Sequence, residues 1–239
     1  MLFFNYTIIY IYISMKKIKA IFFGRSNCTH SIEASLFLKK NGFDVLEFYS
    51  SKRGTFDHKK IVWENWDFIF SFRNQKIIPH SILKLTKEEN INFHPGPPEY
   101  PGSGCINFAL FNKENTFGVT AHHMSEKVDE GQIIKVDKFD ILLTDDVNSL
   151  LQKTHIKLLN LFIDVITKIL SETFTVSKLN DFNENIWTGK RKKISEIDKL
   201  SIIDISISRY ELEKKIRSFH TKQYPLKLFI HGSEFQLKK

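Results

Sequence analysis

Cysteine is nearly missing from this chain: Cys28 and Cys105 are the two in 239 residues. A pair cannot build the disulfide framework of a small secreted fold. No basic start and small-residue cleavage site flank the apolar opening, so nothing reads as a signal peptide. That opening, Met1–Ser14, is the longest uncharged apolar stretch and falls short of the ~20 residues a spanning helix needs. The expectation is a soluble, cytoplasmic protein with reduced thiols and no membrane span. Glycine is scarce as well, 10 residues. The turn after the first apolar run, Gly24-Arg25-Ser26-Asn27, is neither a dinucleotide fingerprint nor a phosphate loop, which leaves ATP and nicotinamide roles without a motif. Internal repeats and low-complexity tracts are absent too.

What is present is a large apolar complement. Hydrophobic residues make up 42% and charged residues 26%, enough for a packed core and against general disorder. The net charge of +8 is uneven: positions 186–239 hold 13 Lys/Arg against 6 Asp/Glu, which supplies seven of the eight. A basic C-terminal piece fits an anionic partner such as phosphate, RNA or an acidic surface, and equally a solvated basic face.

The organisation divides into three: residues 1–14 as an N-terminal extension or peripheral strand ahead of Met15, a core over 15–182, and a C-terminal subdomain over 183–239. Apolar runs at Ile18–Phe23, Val45–Tyr49, Phe68–Phe72 and Ile91–His94 alternate with a helical segment at Cys28–Lys40 and a charged loop near Ser51–Lys60. Strand–helix alternation of this kind predicts an α/β fold, a mostly parallel sheet covered by helices. A helix is expected at Cys105–Phe111, then two strands at Gly118–His123 and Gly131–Phe139 joined by the turn Met124–Glu130. Thr144, followed by Asp145 and Asp146, reads as the cap of a long helix with Val147, Leu151, Thr154, Leu158, Phe162, Val165 and Ile169 on one core stripe. The tail reads as a helix at Ser208–Ser218 and a hairpin over Tyr224–Ile230 and Ser233–Leu237.

Four of the six prolines sit within Pro95–Pro101, in the run HPGPPEYPGSG, a rigid loop of the kind that borders ligand sites after sheet strands. Asn92 and His94 precede it, two apart, so their side chains leave the same strand face. An amide there can donate to developing negative charge, and an imidazole can move a proton near neutral pH. Asp129, in Val128-Asp129-Glu130-Gly131, can orient such a histidine, or can satisfy turn amides ahead of Gly131. Adjacent His122 and His123 face opposite sides of a strand and make a poor metal site. Cys105 has no base placed beside it in sequence, which argues against a nucleophile.

Asn92-Phe93-His94-Pro95-Gly96, Pro101-Gly102, Gly118-Val119-Thr120-Ala121-His122-His123 and Val128-Asp129-Glu130-Gly131-Gln132-Ile133-Ile134 closely resemble, in order and separation, the folate-dependent formyltransferase family over roughly residues 16–175. The resemblance implies a Rossmann-like core and catalytic roles for Asn92, His94 and Asp129. It implies N10-formyltetrahydrofolate as co-substrate, no metal, and a pterin against Phe72, Lys76, Ile77 and Ile78, capped by the turn carrying Met124. It also implies a mechanism in which Asn92 holds the oxyanion, His94 acts as base and proton shuttle, and Asp129 orients His94 and assists proton transfer to the departing folate nitrogen.

The tail, through Trp187-Thr188-Gly189-Lys190-Arg191, Ile197-Asp198, Ile216–Phe219 and Gln223-Tyr224-Pro225, resembles the linker, helix and hairpin of sugar-nucleotide N-formyltransferases, most of all those acting on dTDP-4-amino-4,6-dideoxyglucose. That implies a small-molecule nucleotide-sugar substrate, a place in surface polysaccharide biosynthesis, and no nucleic-acid partner. A nucleotide needs an aromatic face and cations, which makes Arg217, Lys222 and Tyr224 substrate-binding candidates, with Tyr100 for the hexose. The hairpin edge would serve a homodimer. A methionyl-tRNA-type enzyme and a non-catalytic binding module of the same fold stand as alternatives.

Overall fold

The computed structural model describes residues 17–57, 59, 61, 65–171 and 186–238. The expected extension at 1–14 and the division at 182/183 lie outside these residues. In chain order the first half runs β1 (Ile18–Arg25), α1 (Thr29–Lys40), β2 (Phe43–Ser50), β3 (Gly54–Thr55), β4 (Trp66–Phe72), β5 (Lys76–Ile77), α2 (His80–Leu83) and β6 (Thr86–His94). The second half runs α3 (Cys105–Phe111), β7 (Thr116–His123), β8 (Ile133–Asp140), α4 (Val147–Leu170), α5 (Ile194–Leu200), β9 (Ile202–Ile203), α6 (Arg209–Phe219), β10 (Lys227–Ile230) and β11 (Ser233–Gln236). Among the described residues no helix is long and apolar enough to cross a membrane.

The main sheet has six strands in the order β2-β1-β4-β6-β7-β8. The pairs β1–β2, β1–β4 and β4–β6 are parallel, and β6–β7 and β7–β8 antiparallel. From β1 the chain steps outward to β2 and then returns across β1 to β4. In parallel sheets that reversal opens a crevice at the strands' carboxyl ends, where ligands bind. Arg25 ends β1, Arg73 follows β4, and His94 ends β6, so all three stand at that crevice.

Strand alternation decides which side chains reach it. Phe70, Phe72 and Phe93 point to the side covered by α4, where Phe162 meets Phe72 at 5.6 Å and Phe93 at 4.7 Å between ring centroids. Ile69, Ser71, Asn92 and His94 take the other face, with Ser71 and Asn92 directly paired in register. Phe72 is therefore core rather than a pterin contact, a correction that follows from one step of strand parity.

The long helix starts two residues later than expected. Asp146, not Thr144, is the cap: its carboxylate accepts from the backbone N–H groups of Asn148 and Ser149, and Ser149 Oγ accepts from Asp146 N–H. Asp145 turns inward instead, onto Leu142 N–H and Lys153 Nζ at 2.7 Å each. Leu150, Leu161 and Ile166 join the buried stripe, whereas Leu151 stays outside the core and faces the crevice.

Beyond Trp187 the chain makes α5, α6 and a three-stranded sheet, β11-β10-β9. Arg217, expected at a ligand, instead fastens α6 to the core: its guanidinium donates to the carbonyls of Asp145 (2.8 Å) and Leu142 (3.0 Å). Phe219 is buried against Phe111.

Candidate active site

Asn92 sits directly opposite His122 in the β6–β7 ladder, and His94 opposite Thr120. Cross-strand neighbours lie close enough to bond, and Asn92 Nδ2 donates to His122 Nε2 at 3.0 Å. That bond requires the other nitrogen to carry the ring proton, and His122 Nδ1 accordingly donates to the His123 carbonyl at 2.8 Å. His123 itself turns away, to Glu89 at 2.7 Å, so the adjacent histidines diverge. Among the described residues no group of three or more His, Cys, Asp or Glu is placed to hold a metal ion.

Asp129 reaches the same point from the turn between β7 and β8. Its φ of 55° is left-handed, a conformation Asp adopts more readily than most residues. Gly131 completes that turn: a Cβ there would stand 1.8 Å from the His123 carbonyl oxygen. So fixed, Asp129 places Oδ2 3.4 Å from His94 Nδ1 and Oδ1 3.4 Å from Asn92 Nδ2. Gly102 N–H, in the proline-rich loop, donates to the same carboxylate at 2.9 Å. Asn92, His94 and Asp129, drawn from two distant segments, thus form one contact set, with Asp129 6% and His94 3% exposed.

Burial disfavours charge on His94, but the Asp129 carboxylate, helped by the Cys105 sulfur, outweighs it and raises the imidazole's pKa to about 9. Burial pushes Asp129 up, and the His94 charge, with the Gly102 N–H, more than reverses this and holds it below the usual carboxylate range. Geometry agrees, because both ring nitrogens of His94 face acceptors: Nδ1 the carboxylate, Nε2 the Tyr100 carbonyl at 3.1 Å. The resting imidazole at neutral pH is the cation.

Cys105 Sγ lies 3.6 Å from His94 Nε2, so an imidazole does stand beside this thiol, though as the cation it is no base for it. The proline-rich loop doubles back to bring them together, which a separation of eleven positions does not reveal. Gly96 permits the crossing: a Cβ there would lie 2.7 Å from His94 Nε2. Tyr100 contributes its carbonyl rather than its ring. Its hydroxyl is spent on Glu114 (2.6 Å) and Asn112 (2.9 Å), away from the crevice, so it is not a hexose contact.

The crevice encloses about 580 Å³, within the range of small-molecule sites. One wall carries Lys76, Ile77, Ile78, Leu83, Met124 and Val128. The β3–β5 pair braces it, with Phe56 N–H donating to the Ile77 carbonyl at 2.8 Å. Ile77 is exposed there, whereas Ile78 and Met124 pack partly against the core beneath. An apolar slot with a strand edge fits a flat heteroaromatic ring such as a pterin.

The other wall is cationic, a feature that residue type alone did not disclose. Arg25, Arg73 and His155 line it, and no acidic partner pairs with either guanidinium among the described residues. Arg73 donates to Cys28 Sγ at 2.9 Å, and His155 Nε2 is buried without a hydrogen-bond partner. Burial, Arg73, His30 and Arg25 together push the His155 pKa down to about 3. Arg53 and Arg191 add charge at the rim. Lys222 and Tyr224 do not line this crevice; Tyr224 is 69% exposed on the far loop of the C-terminal piece.

A Rossmann-like sheet carrying an amide beside a buried imidazole–carboxylate pair on a crevice of this size fits an acyl-group transferase class. Residues 27–166 match the formyl transferase family model, and the chain belongs to that family. It is 28% identical over 152 residues to the methionyl-tRNA formyltransferase of Mycoplasma capricolum, covering 63% of this chain and 47% of that protein. It is 30% identical over 104 residues to the GDP-perosamine N-formyltransferase of Brucella melitensis, covering 43% of this chain and 40% of that one. The chain thus spans less than half the length of these curated relatives. A Helicobacter canadensis N-formyltransferase solved with folinic acid and dTDP-3-aminofucose shares the fold at a TM-score of 0.67 and 20% identity, covering 90% of this chain and 85% of that one.

Proposed function

We propose that this chain transfers a formyl group from N10-formyltetrahydrofolate to the amine of a nucleotide-linked amino-dideoxy sugar, with dTDP as the nucleotide, for surface polysaccharide. The observation that carries the reading is the Asn92–His94–Asp129 contact set, its histidine and aspartate buried, opening onto a crevice with one apolar and one cationic wall. The Asn92 N–H that faces Asp129 at a long 3.4 Å turns to the oxyanion that forms when an amine attacks the formyl carbon, while the other stays on His122. Because His94 rests protonated, it acts as acid first. The Nδ1 proton held against Asp129 goes to the departing folate nitrogen, and His94 then recovers a proton from the attacking nitrogen. The amine's lost proton balances the one the folate nitrogen gains. Each group so placed contributes about 10²–10³-fold.

Arg25 and Arg73, half-buried and without a carboxylate partner among the described residues, support an acceptor bearing phosphate, since partly desolvated guanidinium charge is costly without an anion. They take over the substrate role first expected of Arg217, Lys222 and Tyr224. The solved Helicobacter relative, which holds folinic acid and dTDP-3-aminofucose, supports both halves of the reading. Residues 183–239 remain proposed as a subdomain for substrate binding and dimerisation, the latter through the exposed β11 edge.

Thermal-shift titration with dTDP, a dTDP-amino-sugar and tRNA tests the acceptor class, because stabilisation grows with ligand concentration over Kd. The reading expects a shift with both dTDP ligands. A shift with tRNA and none with dTDP would replace it with methionyl-tRNA formylation.

A further inference from the structure

The C-terminal segment does more than follow the core: it lies along the proline-rich loop and touches the imidazoles. Thr188 and Gly189 N–H both donate to the Pro98 carbonyl at 3.2 Å. Lys192 N–H donates to Pro101, Ser103 N–H donates to Lys192, each at 3.0 Å, and Gly102 pairs with Lys192 as a parallel bridge. At the head of this strap the Trp187 indole N–H donates to the Gly131 carbonyl at 2.7 Å. Its ring meets His122 at 5.0 Å and 90° and His94 at 5.8 Å and 75°.

We propose that Trp187 is a positioning residue, which fixes the planes of His94 and His122 and ties the Asp129 turn to the strap, so that the C-terminal segment completes the active site. Three contacts on one side chain reach His94, the turn that carries Asp129, and His122, which in turn holds the Asn92 amide. Edge-to-face packing of this kind sets ring orientation. Moving an imidazole by ~1 Å costs about 100-fold in rate. The other groups facing these imidazoles are Asp129 from the turn and Cys105 from α3, with Arg191 of the strap on the crevice wall. The role in turnover rests on the function proposed above, whereas the contact itself can be read without turnover.

The test is a fluorescence titration. Subtracting the emission of Trp187→Phe from that of the native chain removes Trp63 and Trp66 and leaves Trp187. A protonated imidazole quenches an indole it touches, so the difference emission should rise as pH increases through the range where His94 deprotonates. His94→Asn should abolish that rise. In parallel, Trp187→Leu should lower kcat by about 100-fold and displace the pH–rate midpoint. Trp187→Phe, which keeps a ring, should recover most of both. Difference emission that is flat with pH, or a Trp187→Leu profile with the native midpoint, overturns the proposal. A native chain that turns over no amine overturns the formylation reading instead, and the fluorescence arm then decides the contact alone.

Discussion

Replacing Asp129 with Asn removes the charge that governs the site while keeping its shape. In the native chain the carboxylate lifts His94 from an ordinary 6.5 to about 9 against the pull of burial. Without it the Cys105 sulfur alone opposes burial, and the His94 pKa should fall well below its native value. Each pKa unit of displacement corresponds to about 1.4 kcal/mol of interaction between the charged pair. The stability consequence has a definite sign. His94 has a raised pKa, so its stabilisation is complete below about 6.5 and is lost as pH climbs through about 9. Asp129 has a lowered pKa, so its stabilisation is present above 3.8 and is lost as pH falls further. The native chain should therefore exceed Asp129→Asn in Tm most between about pH 4 and 6.5, with the gap closing near pH 9. Proton NMR of the His94 ring in both proteins reads the midpoint, and thermal melts across pH read the gap. An unmoved His94 midpoint in the variant would refute the charge coupling.

Three further outcomes follow from the same geometry. Asn92→Ala should cut kcat by about 10²–10³-fold while the circular dichroism spectrum is kept, since one oxyanion donor is lost; near-native turnover would remove Asn92 from the chemistry. Arg73→Gln should raise KM for a phosphorylated acceptor by tenfold or so, the worth of ~1.4 kcal/mol, with KM for the folate unchanged; equal effects on both would place Arg73 elsewhere. Asp146→Ala should cost about 1 kcal/mol in denaturant melts by removing the α4 cap, and Thr144→Ala should cost far less.

What the sequence disclosed and what it hid divide along a physical line. The positions of the strands along the chain and the main helices were legible because apolar periodicity reports burial, and the pairing of Asn92 with His94 was legible because strand side chains repeat every two residues. Parity was not legible for Phe72, since a strand covered on both faces is apolar throughout and carries no alternation to read. Thr144, Asp145 and Asp146 are all competent caps, and only the inward turn of Asp145 onto Lys153 leaves Asp146 at the helix end. Arg217 and Tyr100 have the right chemistry for a ligand, but partners more than 70 positions away in one case and 14 in the other claim them first. The cationic wall is a property of where β1 and β4 end, so Arg25 and Arg73 emerge as a pair only once the sheet order is known. Trp187 meets His94 from 93 positions downstream (187 − 94), a contact no local pattern encodes.

The central claim is that an amide, an imidazolium and a carboxylate on this crevice carry a formyl group to a sugar amine. It is tested most directly by incubating the full chain with N10-formyltetrahydrofolate and dTDP-4-amino-4,6-dideoxyglucose, beside an Asp129→Asn control, and weighing the sugar nucleotide. The native chain should yield a product heavier by one formyl group, and the variant a trace. An unchanged sugar mass from folded native protein across a panel of nucleotide amino-sugars, with formylation of charged initiator tRNA instead, would contradict it.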